Sequence, residues 1–413
     1  MLTVSDDVKN LFLNHYRQTA RITMTWPGRT GQRMITEADI MQGGLTIDKY
    51  SATGGEIDVG TFVAAQLTLK LNNFKGKFNT WDFQNAELFV EIGIKKWDAY
   101  HWENAQMHYI PMGVYAVTSP VRSRERVVTI VALDRAVYTD KLLDAALPST
   151  ISTLGDLLTH ICTTCGITCA DGVSSSLPQL STVIDVSTIT ERVSYRNMIR
   201  WIAFLNSRNA YFDNDGNLAF GFYKILTHYV PHRSPDLVLK TSDIYNVDID
   251  TSTVFRLGGS NYRANDGSAI MIIEWGYDES PQWDEHWWTI SAGKFIGGAG
   301  VEIKKTLYLD GTYYVPDFYD CQLIENSETP IIWNVPQGGL DELPMYPFRA
   351  QIKPMPWLEL MDIVRYKNRH GQWDIPITHL SFTLNGSTII ACDIDAQLLN
   401  QKGTYMEAPS LVL

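Results

Sequence analysis

Three cysteines and a histidine lie close enough in the sequence to suggest metal chemistry. Their pattern is Cys162-x-x-Cys165-x-x-x-Cys169, with His160 two positions before the first cysteine. Such residues can bind zinc, but zinc sites usually take a second ligand pair from a distant segment, and the other two cysteines are isolated. Cys162 and Cys165 also share a helical face, where small buried thiols are common. We therefore predict a structural role for this cluster.

A second candidate is the acidic and aromatic segment 278–288. It contains Asp278-Glu279 and Asp284-Glu285, and its aromatic side chains are Trp283, His286, Trp287 and Trp288. Paired carboxylates beside tryptophans could supply the acid pair and the sugar platform of a glycosidase. That mechanism needs a fixed separation between its carboxyl groups, which neighbouring residues in one loop rarely keep. The interpretation that we prefer is an exposed loop in contact with another protein, with carbohydrate contact as an alternative.

The remaining motifs do not predict catalysis. The glycine-rich segment 293–300 lacks the Lys-Ser/Thr pair of a phosphate-binding loop and a following helix pattern, so we predict a loop between strands. The nine histidines form no H-E-x-x-H pattern, and no G-x-S-x-G is present. We expect no catalytic, cofactor-binding or metal-binding residues, no cofactor, and a protein that is not an enzyme.

Composition limits the class of protein. The chain has 413 residues, of which 45% are hydrophobic, so it can bury sizeable cores in two to four domains. Its net charge of −12 argues against a protein that reads nucleic-acid sequence. Residues 1–7 lack the basic flank of a signal peptide, and no apolar run is long enough for a membrane helix. Five cysteines, an odd and low number, indicate a reducing compartment such as a cytoplasm.

The first segment, residues 1–145, reads as a short helix followed by many strands. Ser5 could cap that helix, whose apolar residues would be Leu11, Leu13 and Tyr16. Strict alternation at 66–71 predicts a half-buried strand with three leucines on one face. The turns between strands are rich in Gly, Pro and Asn, which is typical of a β-barrel or sandwich.

The sequence pattern of residues 146–238 predicts a small α+β part. Thr153 and Asp156 form a capping-box variant before one helix, and Ser194 can cap a second. Asp215-Gly216 between two apolar runs predicts a hairpin. Strand patterns return at 239–345 and again at 346–400, where Asn385-Gly386 marks the last turn.

Motifs in this order resemble bacteriophage and prophage tail hub proteins, found at the tail tip and, with the same fold, in myophage baseplates. The start of the chain has an A-D-I strand at 38–40, a V-G turn at 59–60, an L-T-L-K-L-N-N strand at 67–73 and then F-K-G-K-F at 74–78. Later elements that resemble the family are 112–117 with 127–135, 148–151 with C-T-T-C-G at 162–166, 194–222, 360–362 and 376–378. Asp134 can cap the turn that follows the strand at 127–133. The chain departs from the family at two positions. Leu147 replaces a residue that is commonly aromatic in the family, and Met361 replaces the family's glycine.

The resemblance implies a mainly β fold with a smaller α+β part. The expected domains are a first tail-tube-like β-barrel over 1–145, an α+β hub domain over 146–238, a second tail-tube-like β-barrel over 239–345, and a small β domain with a C-terminal tail over 346–413. Family hubs are homotrimers whose two barrels per chain make a six-unit ring, which adapts a sixfold tail tube to a threefold tip.

The resemblance also implies a virion location and a set of partners. These are the tail tube, distal tail proteins, fibre, spike or lysin proteins at the tip, and DNA that passes through the lumen without sequence-specific binding. Synthesis would take place in the bacterial host cytoplasm, for a phage or a tailocin. The alternatives are a glycan-binding receptor protein that uses the segment 278–288, or a cell-wall hydrolase of the tail tip. Longer relatives have a C-terminal catalytic region, for which only about a dozen residues remain after Gln401.

Overall fold

The computed structural model describes most of the chain up to residue 249 and most of 343–399, with shorter strands between them. The described residues are 2–14, 18–51, 60–96, 106–119, 121–177, 179–184, 186–187, 189, 192–206, 208–221, 235–249, 255–263, 269–277, 288–291, 294–297, 306–307, 314–315, 343–368, 371–385 and 388–399.

Strands dominate these residues. The helices are α1 (Asp6–Leu13), α2 (Leu154–Cys165), α3 (Val173–Ser176) and α4 (Tyr195–Leu205). The strands are β1 (Gln18–Thr25), β2 (Gln32–Thr36), β3 (Ile40–Tyr50), β4 (Gln66–Asn72), β5 (Glu87–Lys96), β6 (Gln106–Val117), β7 (Val127–Asp134), β8 (Asn209–Phe212), β9 (Leu218–Gly221), β10 (Leu237–Leu239), β11 (Ile244–Ile249), β12 (Phe255–Arg263), β13 (Ala269–Tyr277), β14 (Trp288–Ser291), β15 (Lys294–Gly297), β16 (Thr306–Leu307), β17 (Tyr314–Val315), β18 (Leu343–Ile352), β19 (Ile363–Asn368), β20 (Gly371–Asn385) and β21 (Thr388–Leu399). The predicted class, mainly β with a smaller α+β part, is confirmed.

Alternation along the sequence fixes the core of the first strands. Leu67, Leu69 and Leu71 of β4 are fully buried, as the pattern predicts. They lie opposite buried residues of β7, with Leu69 paired to Ile130. The same face continues into β3, where Leu45 pairs with Leu69. Apolar faces from three neighbouring strands therefore meet in one core.

Fifteen strands form one sheet that connects the beginning and the end of the chain. Its order is β13-β12-β18-β21-β20-β3-β4-β7-β6-β5-β1-β2, with β10, β11 and β19 attached to the side. Among the described strands this order is open and closes no barrel, so the two predicted barrels are not seen as closed units. The link is the antiparallel pair of β3 and β20, whose residues are more than three hundred positions apart. The predicted domain boundaries stay predictions.

The small α+β part follows its capping signals closely. Thr153 accepts from the Asp156 backbone N–H, and the Asp156 side chain accepts from Thr153, which completes the predicted capping box of α2. The helix ends at Gly166 in the left-handed conformation that glycine permits. Ser194 Oγ accepts from the backbone N–H of Asn197 at the start of α4. The predicted hairpin is β8 and β9.

Two local predictions at the start of the chain were wrong. Residues Glu37–Asp39 form a 3-10 turn between β2 and β3 instead of a strand, because Asp39 caps Thr36 by accepting from its backbone N–H. In α1 the predicted cap is absent, because Ser5 makes no side-chain cap hydrogen bond. Val8 and Phe12 are the buried residues of this helix, the predicted Leu11 and Leu13 are partly buried against the core, and Tyr16 lies outside the described residues.

The turn at Met361 keeps the geometry of a glycine position. Met361 has φ 66°, in the left-handed region that a side chain other than glycine seldom adopts. Its side chain is buried and lies against Gly221, where an added Cβ would come within 2.5 Å of Met361 Cε. Packing on a glycine in the α+β part thus offsets the backbone cost of this turn.

Candidate functional site

The cysteine cluster comes together in space but does not resemble a metal site. Cys162 Sγ lies 3.2 Å from Cys169 Sγ, and the side chains of both are half-buried. The hydrogen bond to Cys169 and burial raise the pKa of the Cys162 thiol, and burial raises the pKa of Cys165 to about 11. His160 packs beside the ring of Tyr195 instead. Within the described residues, no group of three or more His, Cys, Asp or Glu side chains could hold a metal.

The other two candidates fall mainly on residues that the structure does not describe. Residues 278–287 of the acidic and aromatic segment lie outside the described part, and Trp288 begins β14. Within the glycine-rich segment, Lys294–Gly297 form β15 and pair with β14. The predicted loop is wrong for those four residues, because an apolar pair, Phe295 and Ile296, favours a strand.

A junction of three parts of the chain is the best-defined polar site. We define the junction as the residues where β3 meets β20, β21 and the turn between β8 and β9. In β3, Leu45, Ile47 and Lys49 point to a buried face, whereas Asp48 and Tyr50 point to the opposite, half-buried face. The junction therefore has one ionisable cluster on each face of a single strand.

On the half-buried face, His379 of β20 lies between two carboxylates. Its Nδ1 is 3.0 Å from Oδ2 of Asp395 in β21, within hydrogen-bond distance. Its Nε2 is 3.7 Å from Oδ1 of Asp48 in β3, which makes an ion pair and not a hydrogen bond. The ring of Tyr50 stacks on the imidazole, with centroids 4.2 Å apart and planes 7° apart. Four side chains from three strands thus contact one another.

These contacts change the protonation of the histidine. Burial, the largest effect, lowers the pKa of His379, but the hydrogen bond to Asp395 and the charges of both carboxylates outweigh it and raise the pKa to about 9. The imidazole is therefore a cation at neutral pH. It neutralises the carboxylates of β3 and β21 at the point where the first strands of the chain join the last.

On the buried face, Lys49 extends from β3 to the turn of the β8–β9 hairpin. Its Nζ donates a hydrogen bond to Oδ1 of Asn214. Lys49 is 7% exposed and Asn214 is 2% exposed. Burial lowers the pKa of Lys49 to about 8, although the charges of Glu359, Asp134 and Asp213 oppose this shift. A buried amine thus contacts the side-chain amide of a residue 165 positions away.

Arg135 holds the hairpin turn against the first strands, and Asp134 beside it joins two backbone segments. Arg135 makes a bidentate pair with Glu87, at 3.0 and 2.8 Å, and its Nη1 also donates to the Gly216 carbonyl at 3.0 Å. Asp134 accepts from the backbone N–H groups of Ala65 and Ala136, and burial raises its pKa to about 6. The acceptance from Ala136 is the turn cap that the sequence predicts for Asp134.

Sequence reasoning missed the junction. One signal was available, because Lys49 continues the alternation of Leu45 and Ile47 and so stands at an inward position. Nothing in the local pattern indicates that Asn214 or His379 would be its neighbours in space. Chemically, the described junction neutralises charge and fixes the relative positions of strands.

Comparisons with known proteins give matches only at the level of structure. No protein-family model matches the sequence, and no curated protein matches it. No helix among the described residues is long and apolar enough to span a membrane.

The solved structures that match include several tail proteins. A tail protein from Neisseria meningitidis is 11% identical, with a TM-score of 0.43, and the match covers 92% of this chain and 96% of that one. A tail protein of a Shewanella oneidensis prophage is 9% identical, with a TM-score of 0.44, over 94% of this chain and 100% of that one. A chain of the phage P2 baseplate in its activated conformation is 13% identical, with a TM-score of 0.29, over 92% and 98%. These three solved structures are tail or baseplate proteins.

Proposed function

We propose that the protein is a structural component of a phage or phage-derived tail, where it forms the hub at the tail tip or baseplate. The observation that carries this proposal is the position of the hub-like motifs within the structure. The leucines of the first motif are fully buried in β4, and the alternating residues Val128, Ile130 and Ala132 of the next are fully buried in β7. Motifs made of core positions specify a scaffold rather than a reaction.

The junction supports a role that needs rigidity. A protein at the end of a tail has to keep its parts in a fixed relation while other proteins bind to it. Here the β3–β20 pair, the half-buried His379 cluster and the buried Lys49–Asn214 contact hold the first strands, the α+β part and the last strands together. Separation would leave the charges of the His379 cluster uncompensated and the buried Asn214 carbonyl without its donor.

The finer part of the proposal concerns assembly. The hub would be a homotrimer that adapts a sixfold tail tube to a threefold tip, and it would bind the tube on one side and fibre, spike or lysin proteins on the other. DNA would pass through its lumen during ejection. A net charge of −12 suits such a wall, because an acidic surface does not retain DNA. The protein itself would carry out no catalysis.

The solution mass of the purified full chain, measured by light scattering, tests the assembly. We expect a species with three times the mass of one chain, and negative-stain images of it should show a ring with a central opening. A compact monomer with a closed surface would contradict the trimeric hub. In that case the receptor hypothesis gains weight, and binding of the protein to a glycan array would identify it.

A further inference from the structure

Lys49 and Asn214 present the two groups that form a side-chain amide bond. The primary amine at Nζ of Lys49 contacts the side-chain amide of Asn214 through Oδ1. Both residues are more than nine-tenths buried, so water has little access to either group. The contact is held from both sides, by β3 within the large sheet and by the β8–β9 turn.

The environment favours reaction over a simple hydrogen bond. Asn214 Nδ2 is buried and finds no hydrogen-bond partner among the described residues, so nothing there holds the group that would leave. Burial lowers the pKa of Lys49 to about 8, which makes the neutral, nucleophilic amine accessible near physiological pH. Lys49 lies on the same face of β3 as the buried Leu45 and Ile47, and these apolar surroundings disfavour the charged form of its amine.

Three carboxylates are close enough to Lys49 to act on its charge. The charges of Glu359, Asp134 and Asp213 all act on Lys49. Asp134 is itself buried, and its pKa is raised to about 6, so it exchanges protons near neutral pH. Asp213, next to Asn214, accepts from the backbone N–H groups of Asp215 and Asn217 and so fixes the turn that presents the amide.

We propose that Lys49 and Asn214 form an intramolecular isopeptide bond in the folded protein. The neutral Nζ attacks Cγ of Asn214, and a new C–N bond forms. The attacking nitrogen gives up one proton and Nδ2 takes up one, the Cγ–Nδ2 bond breaks, and one molecule of ammonia leaves. The reaction needs no oxidant, reductant or cofactor. Its product ties β3 covalently to the β8–β9 hairpin.

Intact-mass spectrometry of the full-length wild-type protein tests this directly. The expected mass is about 17 Da below the mass of the sequence, which corresponds to one lost ammonia. A tryptic digest should contain a branched peptide that joins the segments around Lys49 and Asn214, with no cleavage after Lys49. A wild-type protein of full sequence mass, with both linear peptides present, would overturn the proposal.

Two variants test whether the Lys49 amine reacts and which atom leaves from residue 214. Lys49→Arg, which keeps a positive charge without a primary amine, should have its full sequence mass. Asn214→Asp should still react but lose water, about 18 Da, because oxygen then leaves instead of nitrogen. A succinimide at Asn385-Gly386 would also lower the wild-type mass by about 17 Da, but it would persist in Lys49→Arg and map to a linear peptide. That pattern would overturn the proposal as well.

Discussion

His379 is the side chain whose ionisation should most affect the stability of the junction. Its pKa is about 9 in the folded protein and 6.5 when unperturbed. A raised pKa means that the folded state binds its proton more tightly, so the stabilisation is fully present below about pH 6.5 and is lost as pH rises through about 9. At 12% side-chain exposure, the contribution is on the order of 3 kcal/mol in the free energy of unfolding.

Urea denaturation of the wild type and of His379→Gln over this pH range measures that contribution. The difference between the two proteins should be largest near about pH 6.5 and should shrink towards about pH 9 and above. Taking the difference removes the effect of Lys49, which is common to both proteins. An equal loss of stability at every pH would show that the histidine contributes by packing alone.

At the residue scale, the sequence predicts which way a side chain faces better than it predicts which distant residue the side chain contacts. The caps at Thr153, Asp134 and Ser194 were predictable because each acts on a backbone group within three residues. Lys49 was recognisable as an inward-facing lysine from alternation alone. Its contact with Asn214 was not predictable, because that contact depends on how the hairpin packs against β3, and this packing leaves no local pattern.

At the scale of elements, helix α2 offers a test of a single cap. Replacing Thr153 by Ala removes the acceptor for the Asp156 backbone N–H and should lower the free energy of unfolding by about 1 kcal/mol. Thr159→Ala is the matched control on the same helix, since its hydroxyl only donates to the Gly155 carbonyl at an exposed position. Thermal denaturation of both variants should show a lower midpoint for Thr153→Ala alone. Equal midpoints would contradict the role of the capping box.

The pair of β3 and β20 joins the first strands of the chain to the last. Phe382 of β20 is 1% exposed and lies opposite Ile47 of β3. Phe382→Ala should therefore cost about 3–5 kcal/mol through lost burial and the cavity that it leaves. Phe74→Ala, at a residue that is 62% exposed, should stay within about 0.5 kcal/mol of the wild type. Similar urea midpoints for the two variants would show that the contact between β3 and β20 is not part of the core.

Single elements were predictable from the sequence, whereas their order in the sheet was not. Alternation and turn residues predicted β4, β7 and the hairpin of β8 and β9 because these signals are local. The open order of fifteen strands depends on pairs such as β3 with β20, which are far apart in the chain. Local patterns carry no information on such pairing, so the strand order seen among the described residues could not be derived from them.

At the scale of the whole molecule, the chain has the organisation of a scaffold. The described strands from the beginning and the end of the chain share one sheet, and polar contacts on both faces of β3 hold the α+β part and the last strands to it. We propose that this scaffold is a permanent part of a tail, located at its tip.

Antibody labelling of purified particles tests that claim most directly. Tails or tail-like particles from the strain that encodes the protein would be labelled with an antibody against the full chain and imaged by electron microscopy. We expect label at one end of the tail only, and we expect the protein to be a constant component of the purified particles. Label along the whole tail, or the protein found only in the particle-free fraction, would contradict a tail-tip hub.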